Sequence, residues 1–307
     1  MTGGYIGKIL KVDLTTRNIG AEPINEEVAK KYLGGKGYAV YVLYQYIKEY
    51  GLMGISPKDI DPLGTENVLL FMTGPGTGIP RFPSPSRYHV MALKAPLTGS
   101  IGSGNSGGEW GTYLKFSGFD GIVIEGASDV PVYLALVDGK AEIRNAGDLW
   151  GKSTFDTTRA LTSVVGGKNT SVTCIGPASE NLVSMAVIMN DEHRAAGRAG
   201  LGAVMGSKKL KAIVVSGDQK VPVAKPEEFR GVADRCLEAV DKNALTGDGV
   251  PTYGSALLVS AINEAGAFPF KNWQTGVNPD AESISGETLS KEYLVRKRPC
   301  WACTIGC

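Results

Sequence analysis

Three thiols crowd the last eight residues, Cys300-Trp301-Ala302-Cys303-Thr304-Ile305-Gly306-Cys307. The C-x2-C-x3-C spacing lets a turn fold back around one small object, and thiolates are ligands for zinc or for an iron–sulfur cluster. Arg296, Lys297 and Arg298 just upstream offset thiolate charge, and Pro299 stiffens the entry. Either metal normally takes four protein ligands, so Cys174, Cys236, a histidine, a partner chain or further sequence must supply the fourth. Chance clustering is a poor alternative, because five cysteines in 307 residues seldom place three within eight.

Other candidate chemistry sits among glycines. Gly102-x-Gly104-x-x-Gly107 has the spacing of a dinucleotide fingerprint, with Glu125 as its acidic partner. A proline-containing stretch separates it from the preceding strand, however, where a true fingerprint turns at once, so a ligand-free glycine turn competes with it. The run from Gly197 to Lys208 resembles a phosphate loop, but no glycine stands five residues before a Gly-Lys-[Ser/Thr] triplet. It leaves Arg194 and Arg198 among small residues, where guanidinium groups and backbone amides could hold phosphate; arginines on a solvated turn fit the spacing equally well. His89 and His193 lack metal-spaced partners and read as packing or surface residues. Cys174 reads as a buried apolar residue of a strand. No Ser/His/Asp set and no helix-spaced pair of carboxylates appears, so the catalytic residues are unknown from sequence.

Composition narrows the class. Lysine and arginine number 32 against 31 aspartates and glutamates, so no global field favours nucleic acid or an anionic membrane. Apolar runs are too short to span a bilayer, and no signal peptide is visible near Met1. Sparse cysteine points to a reducing compartment, hence a cytoplasmic protein. Glycine, at 41 of 307 residues, is about twice its ordinary usage and falls in three stretches, the pattern of backbone packed against a bulky ligand or against itself.

The elements that must position these residues follow from periodicity and turn chemistry. Residues 5–14 alternate as a half-buried strand, and 15–18 turn it into a hairpin. Asn25 caps a helix that breaks at Gly34–Gly37 and resumes through Val40, Leu43 and Ile47. Strands are expected at 67–72, 87–94, 121–125, 132–137, 140–144, 171–175, 183–189 and 212–215, with Asp138-Gly139 a hairpin turn. A helix is expected at 153–165. From Pro226 the texture becomes helical, at 227–240, 255–265 and 288–295. The class is therefore α+β: a β-rich domain over 1–216, then the start of an α-helical domain over 217–307.

Taken together, these stretches resemble the tungsten- or molybdenum-containing aldehyde ferredoxin oxidoreductases. The resemblance runs through nearly the whole chain, from the Gly7–Thr15 strand through Tyr32-Leu33-Gly34-Gly35, Gly74-Pro75-Gly76-Thr77-Gly78, Arg87-Tyr88, Lys94–Gly99, Asn105-Ser106-Gly107-Gly108 and Leu114–Asp120. Its most specific blocks are Ile175–Leu182 and Asn190-Asp191-Glu192-His193-Arg194-Ala195-Ala196-Gly197-Arg198. Gly202–Lys208, Leu210–Ile213 and the final cysteine run complete it.

The resemblance implies a β-rich N-terminal saddle carrying two pterin-dithiolene cofactors that jointly hold one tungsten, and it admits a magnesium ion bridging their phosphates. It implies that Asn105 and Gly107 contact one pterin, that Arg194, Ala195, Gly197 and Arg198 contact the other or its phosphates, and that Arg87 lies between pterin and cluster. Cys300, Cys303 and Cys307 become three of the four ligands of a [4Fe–4S] cluster. The implied reaction oxidises an aldehyde to a carboxylic acid and passes electrons through the cluster to ferredoxin or another electron-transfer subunit. Members are about twice this length, so the chain is expected to be an N-terminal half or a split subunit, completed by a C-terminal half or a homodimer. The competing expectation is a stand-alone iron–sulfur or zinc module of the same fold without aldehyde chemistry.

Overall fold

A computed structural model describes residues 3–307. The chain divides into two compact units: one runs up to Pro80 and resumes over Pro85–Lys225, and the other joins Arg81–Ser84 to Pro226–Cys307.

The first unit opens with the expected hairpin, β1 (Lys8–Asp13) and β2 (Asn18–Pro23). Its turn is built by Asp13, whose carboxylate accepts from the Thr15 and Thr16 amides and the Thr16 hydroxyl. Asn25 caps α1 (Glu26–Tyr32) by accepting from the Val28 amide, and α2 (Gly35–Leu52) starts two residues after α1 ends. The break thus falls at Leu33-Gly34, and Gly35 and Gly37 belong to the second helix.

Next come β3 (Leu69–Thr73), β4 (Tyr88–Ala92), β5 (Gly102–Ser106), α3 (Trp110–Phe116) and β6 (Gly121–Glu125). These strands complete a six-stranded sheet in the order β2-β1-β6-β3-β4-β5. A second sheet is formed by β7 (Val132–Val137), β8 (Lys140–Asn145), β9 (Thr170–Cys174), β10 (Ile188–Asn190), β11 (Arg194–Ala196) and β12 (Leu210–Ser216), ordered β11-β10-β9-β12-β7-β8. Only β1/β6 and β7/β12 run parallel among these pairs. Asp138 and Gly139 both take positive φ between β7 and β8, as a two-residue hairpin turn requires.

Each sheet buries its outer face under helix, the first under α2 with Val28 and Ala29 of α1 added. On the first, Ile9, Leu70, Met72, Met91 and Val123 pack with Tyr38, Ala39, Leu43 and Tyr46 of α2. On the second, Tyr133, Ala135, Val172, Cys174, Ala212 and Val214 pack with Leu161 of α4 (Thr154–Val165). The inner faces meet around Trp110, whose ring lies 5.5 Å from Phe71 and 4.6 Å from Tyr88 and whose Nε1 donates to the Ile213 carbonyl at 3.0 Å. One α3 side chain therefore ties both sheets together.

Three helices depart from expectation. α3, α5 (Pro177–Glu180) and α6 (Leu201–Ser207) occupy stretches where no regular element is expected from sequence, and the strand expected over 183–189 shrinks to β10. In α6 the glycines are packing residues. A Cβ on Gly206 would sit 2.0 Å from the Ser179 carbonyl oxygen, so α6 lies against α5 at backbone contact. The glycines at 102 and 104 likewise lie in an extended strand, β5, and not in a turn that opens a helix, which removes the dinucleotide reading.

The second unit is helical, with α7 (Pro226–Lys242), α8 (Val250–Tyr253), α9 (Leu258–Glu264) and short 3-10 and π turns between them. No helix among the described residues is long and apolar enough to cross a membrane.

Candidate functional site

The expected cofactor residues of the first unit lie on two edge strands, one from each sheet. Pairing of β5 with β4 sets Asn105 opposite His89, and Arg87 Nη1 donates to the Asn105 carboxamide oxygen at 3.1 Å. His89 and Met91 share the outer face of β4, and the His89 ring runs under the first turn of α2. A Cβ on Gly35 would meet His89 Cδ2 at 3.0 Å. Burial, with Lys36 and Arg87 close by, lowers the pKa of His89 and keeps it neutral, and its Nδ1 is buried without a hydrogen-bond partner.

After β5 the chain turns sharply. The Gly107 carbonyl accepts from Asn190 Nδ2 at 2.9 Å. Gly108 has φ +87°, and a Cβ there would fall 2.2 Å from Asp191 Oδ2 and 3.2 Å from Arg194 Cγ. This contact brings together residues far apart in the chain, Gly108 with Asp191 and Arg194. Arg194 pairs with Asn190 and Ala195 with Met189 in the β10–β11 hairpin. Gly104 lies beside Ala196 and the Arg198 carbonyl, so β11 runs alongside β5. Gly197 and Arg198 are exposed in the following turn, and Arg194 is half-buried. Asn105, Gly107, Arg194, Ala195, Gly197 and Arg198 thus converge on one pair of edges, with Arg87 joined through Asn105.

The residues that hold this convergence had no role assigned to them from sequence. Asn190 is fully buried: its Oδ1 accepts from Tyr88 and Ser106 hydroxyls, and its Nδ2 donates to Gly107 and to Asp191. The buried Asp191 carboxylate accepts from the Glu109 amide at 2.7 Å, from the Trp110 amide, and from the Ser171 hydroxyl. A polar Asn-Asp pair closing the apolar run Val187-Ile188-Met189 was the available signal.

A second buried network supports α2. Lys115 Nζ donates to the carbonyls of Gly4 (2.6 Å) and Gly74 (2.7 Å) and stands 3.5 Å from Asp120, which accepts from the amides of Ile6 and Gly7. Gly34, the residue before α2, packs on Thr73 and Gly74.

In the second unit, the Cys303 amide donates to the Cys300 carbonyl at 3.1 Å, closing one turn. Ser84 Oγ lies 4.0 Å from Cys303 Sγ. Cys300 and Cys303 are half-buried and Cys307 is exposed. The three thiols do not close on one point: among the described residues, no group of three His, Cys, Asp or Glu side chains stands close enough to hold a metal. Cys174 is buried in β9 against Thr158 and the Thr154 carbonyl, its thiol pushed up to about 11 by burial, and Cys236 is exposed on α7.

Residues 9–217 match the family profile described as aldehyde ferredoxin oxidoreductase, N-terminal domain, and residues 232–307 match that of domains 2 and 3. The chain belongs to the aldehyde ferredoxin oxidoreductase family. This is a family of oxidoreductases. A tungsten-containing aldehyde ferredoxin oxidoreductase of Pyrococcus abyssi is 49% identical over 304 residues, 99% of this chain and 48% of the relative. An aliphatic sulfonate oxidoreductase WOR-like subunit of Pyrococcus furiosus is 32% identical over 99% of this chain and 49% of its own length. The chain thus spans about half the length of these relatives. A solved structure, the active-site complex BamBC of benzoyl coenzyme A reductase with 1,5-dienoyl-CoA, superposes with a TM-score of 0.82 at 28% identity, covering 99% of this chain and 46% of that one. Family membership and the α+β class agree with the expectations from sequence.

Proposed function

We propose that this chain is the pterin-bearing part of an aldehyde-oxidising oxidoreductase, a fragment or split subunit of the whole enzyme. The convergence of Asn105 and Gly107 with Arg194, Ala195, Gly197 and Arg198 carries the reading. Two edges rich in small residues, with the exposed Asn105 carboxamide, the exposed Gly197 backbone and the Arg194 and Arg198 guanidinium groups, fit a flat hydrogen-bonding heterocycle with an anionic tail. Asn105 and Gly107 hold one pterin. Arg194 and Arg198 would neutralise phosphate, and Arg87, tied to Asn105, presents a fixed positive charge at the same edge. When bound, a tungsten or molybdenum bis-pterin supplies the two-electron chemistry by which an aldehyde and water become a carboxylic acid. The 49% identity to tungsten-containing aldehyde relatives, against 32% to the sulfonate relative, favours aldehydes as substrate.

Cys300, Cys303 and Cys307 are proposed as ligands of a [4Fe–4S] cluster on donor type and spacing, with ferredoxin or another electron-transfer subunit as partner. The three thiols do not close on one point among the described residues.

The test is anaerobic purification followed by metal analysis and fluorescence of oxidised pterin. Tungsten or molybdenum with about two pterins per metal is expected, and the double change Arg194→Ala/Arg198→Ala should lower pterin content while leaving the circular dichroism unchanged. Protein that carries iron or zinc alone, or pterin indifferent to both arginines, overturns the reading.

A further inference from the structure

Asn190 and Asp191 form a buried polar network that touches both edges of the candidate site. Asn190 uses its whole carboxamide: the oxygen takes Tyr88 Oη at 3.0 Å and Ser106 Oγ at 2.6 Å, and the nitrogen serves the Gly107 carbonyl at 2.9 Å and Asp191 at 2.7 Å. Asp191 faces donors alone, namely the amides of Glu109 and Trp110, Asn190 Nδ2 and the Ser171 hydroxyl. An acceptor-only group is what that surrounding needs. Both bonds to Gly107 and Glu109 fix the turn after β5, while the backbone of the same two residues leads into the β10–β11 turn. Asp191 and Glu192 both take left-handed φ there, 54° and 63°. That conformation costs on the order of 1–2 kcal/mol per residue and persists only where neighbours over-determine it.

We infer that Asn190 and Asp191 are positioning residues that lock the Gly107 turn and the Arg194–Arg198 segment into one register, so that both halves of the cofactor cradle form or loosen together. The assignment rests on the cofactor reading for its purpose, though not for its geometry. Asp191 reaches the site only through others. Its carboxylate fixes the Glu109 and Trp110 amides on one side and, through its own backbone, the start of β11 on the other. A primary amide at 191 would turn one acceptor into a donor facing a donor, and both segments would lose their common anchor.

The experiment uses the full chain, purified anaerobically, as wild type, Asp191→Asn, Ser171→Ala and Tyr46→Phe. Ser171→Ala removes one bond to Asp191 and serves if Asp191→Asn folds poorly. Tyr46→Phe removes a hydroxyl that donates to Glu125 of β6 in the first sheet, away from this network. Hydrogen–deuterium exchange should quicken together in residues 106–110 and 193–198 of the 191 and 171 variants and stay unchanged in β7–β8. Pterin per folded protein should fall about tenfold in Asp191→Asn, the scale of lost outer-shell support. The Tyr46→Phe protein should lose thermal stability with neither effect. Exchange that quickens in one segment alone, or evenly through the domain, overturns the inference; so does full pterin occupancy in Asp191→Asn. If wild-type protein holds no pterin, the cofactor reading falls, and the exchange pattern by itself decides the positioning role.

Discussion

His89 shows how a single ring can report on the site. The ring is wedged between β4 and the Gly35 end of α2, and burial beside Lys36 and Arg87 depresses its pKa below 6.5. In the unfolded chain a histidine takes up a proton near pH 6.5, whereas the folded chain resists it. Below that pH the unfolded state therefore binds more protons, and stability falls as pH falls. Urea midpoints measured between pH 7.5 and pH 5 should decline, and His89→Asn should flatten the decline; an unchanged slope in the variant would show that other groups carry it. At this scale the sequence was partly legible. It marked the arginines, Asn105 and the cysteines through residue type and family blocks, and it left His89 as a packing or surface residue. It gave no role to Asn190 and Asp191, because their partners Gly107, Glu109, Ser106 and Tyr88 lie about eighty to a hundred positions away.

At the scale of elements, the legible parts were those with local causes. Asn25 and Ser153 cap their helices by accepting from Val28 and Asp156, and Asp138-Gly139 turns its hairpin. The glycine-rich α6 and the glycine strand β5 were not legible, since propensity speaks against glycine in both and only close backbone contact, as at Gly206, explains it. The buried Lys115 shows the same non-local logic with a measurable consequence. Burial pushes its ammonium down to about 8, and Asp120 offsets only part of the shift. An unfolded lysine holds its proton to about 10.4. Between those values the unfolded chain carries the extra proton, so stability rises as pH climbs through that window. Lys115→Met should reduce this rise, leaving the share of Lys208, which burial also pushes down to about 8, and, by taking from Asp120 its counter-charge and from the Gly4 and Gly74 carbonyls their donor, cost about 3–5 kcal/mol near pH 7. Denaturant titrations at pH 7 and pH 10 measure both effects. A loss below about 1 kcal/mol, the range of an exposed pair, would mean that the network does not hold the Gly74 turn beneath α2.

For the whole molecule, the two units differ in what they bury. The first has two sheets whose inner faces close on Trp110, with a helix over each outer face. In the second, the only described apolar side chains that are fully buried are Ala233 and Ala281, while Val232, Leu245, Leu258, Trp273, Ile284, Leu289, Tyr293 and Val295 are exposed. Two alanines are no core. Burying a large aliphatic side chain stabilises by about 1.5–3 kcal/mol, and ordering each residue costs about 1–2 kcal/mol of backbone entropy. Helix propensity and caps such as Asn243 cannot offset that cost over some eighty residues. A fragment ending at Lys225 should therefore melt in a single cooperative transition. A fragment of residues 226–307 alone should show weak helical circular dichroism, collapsed amide dispersion and no sigmoidal melt. Its exposed apolar residues would then need a surface to cover them, and the addition of a binding polypeptide should raise its helicity. A cooperative melt of 226–307 by itself would show that these helices find a core among their own side chains, in a packing different from the one described.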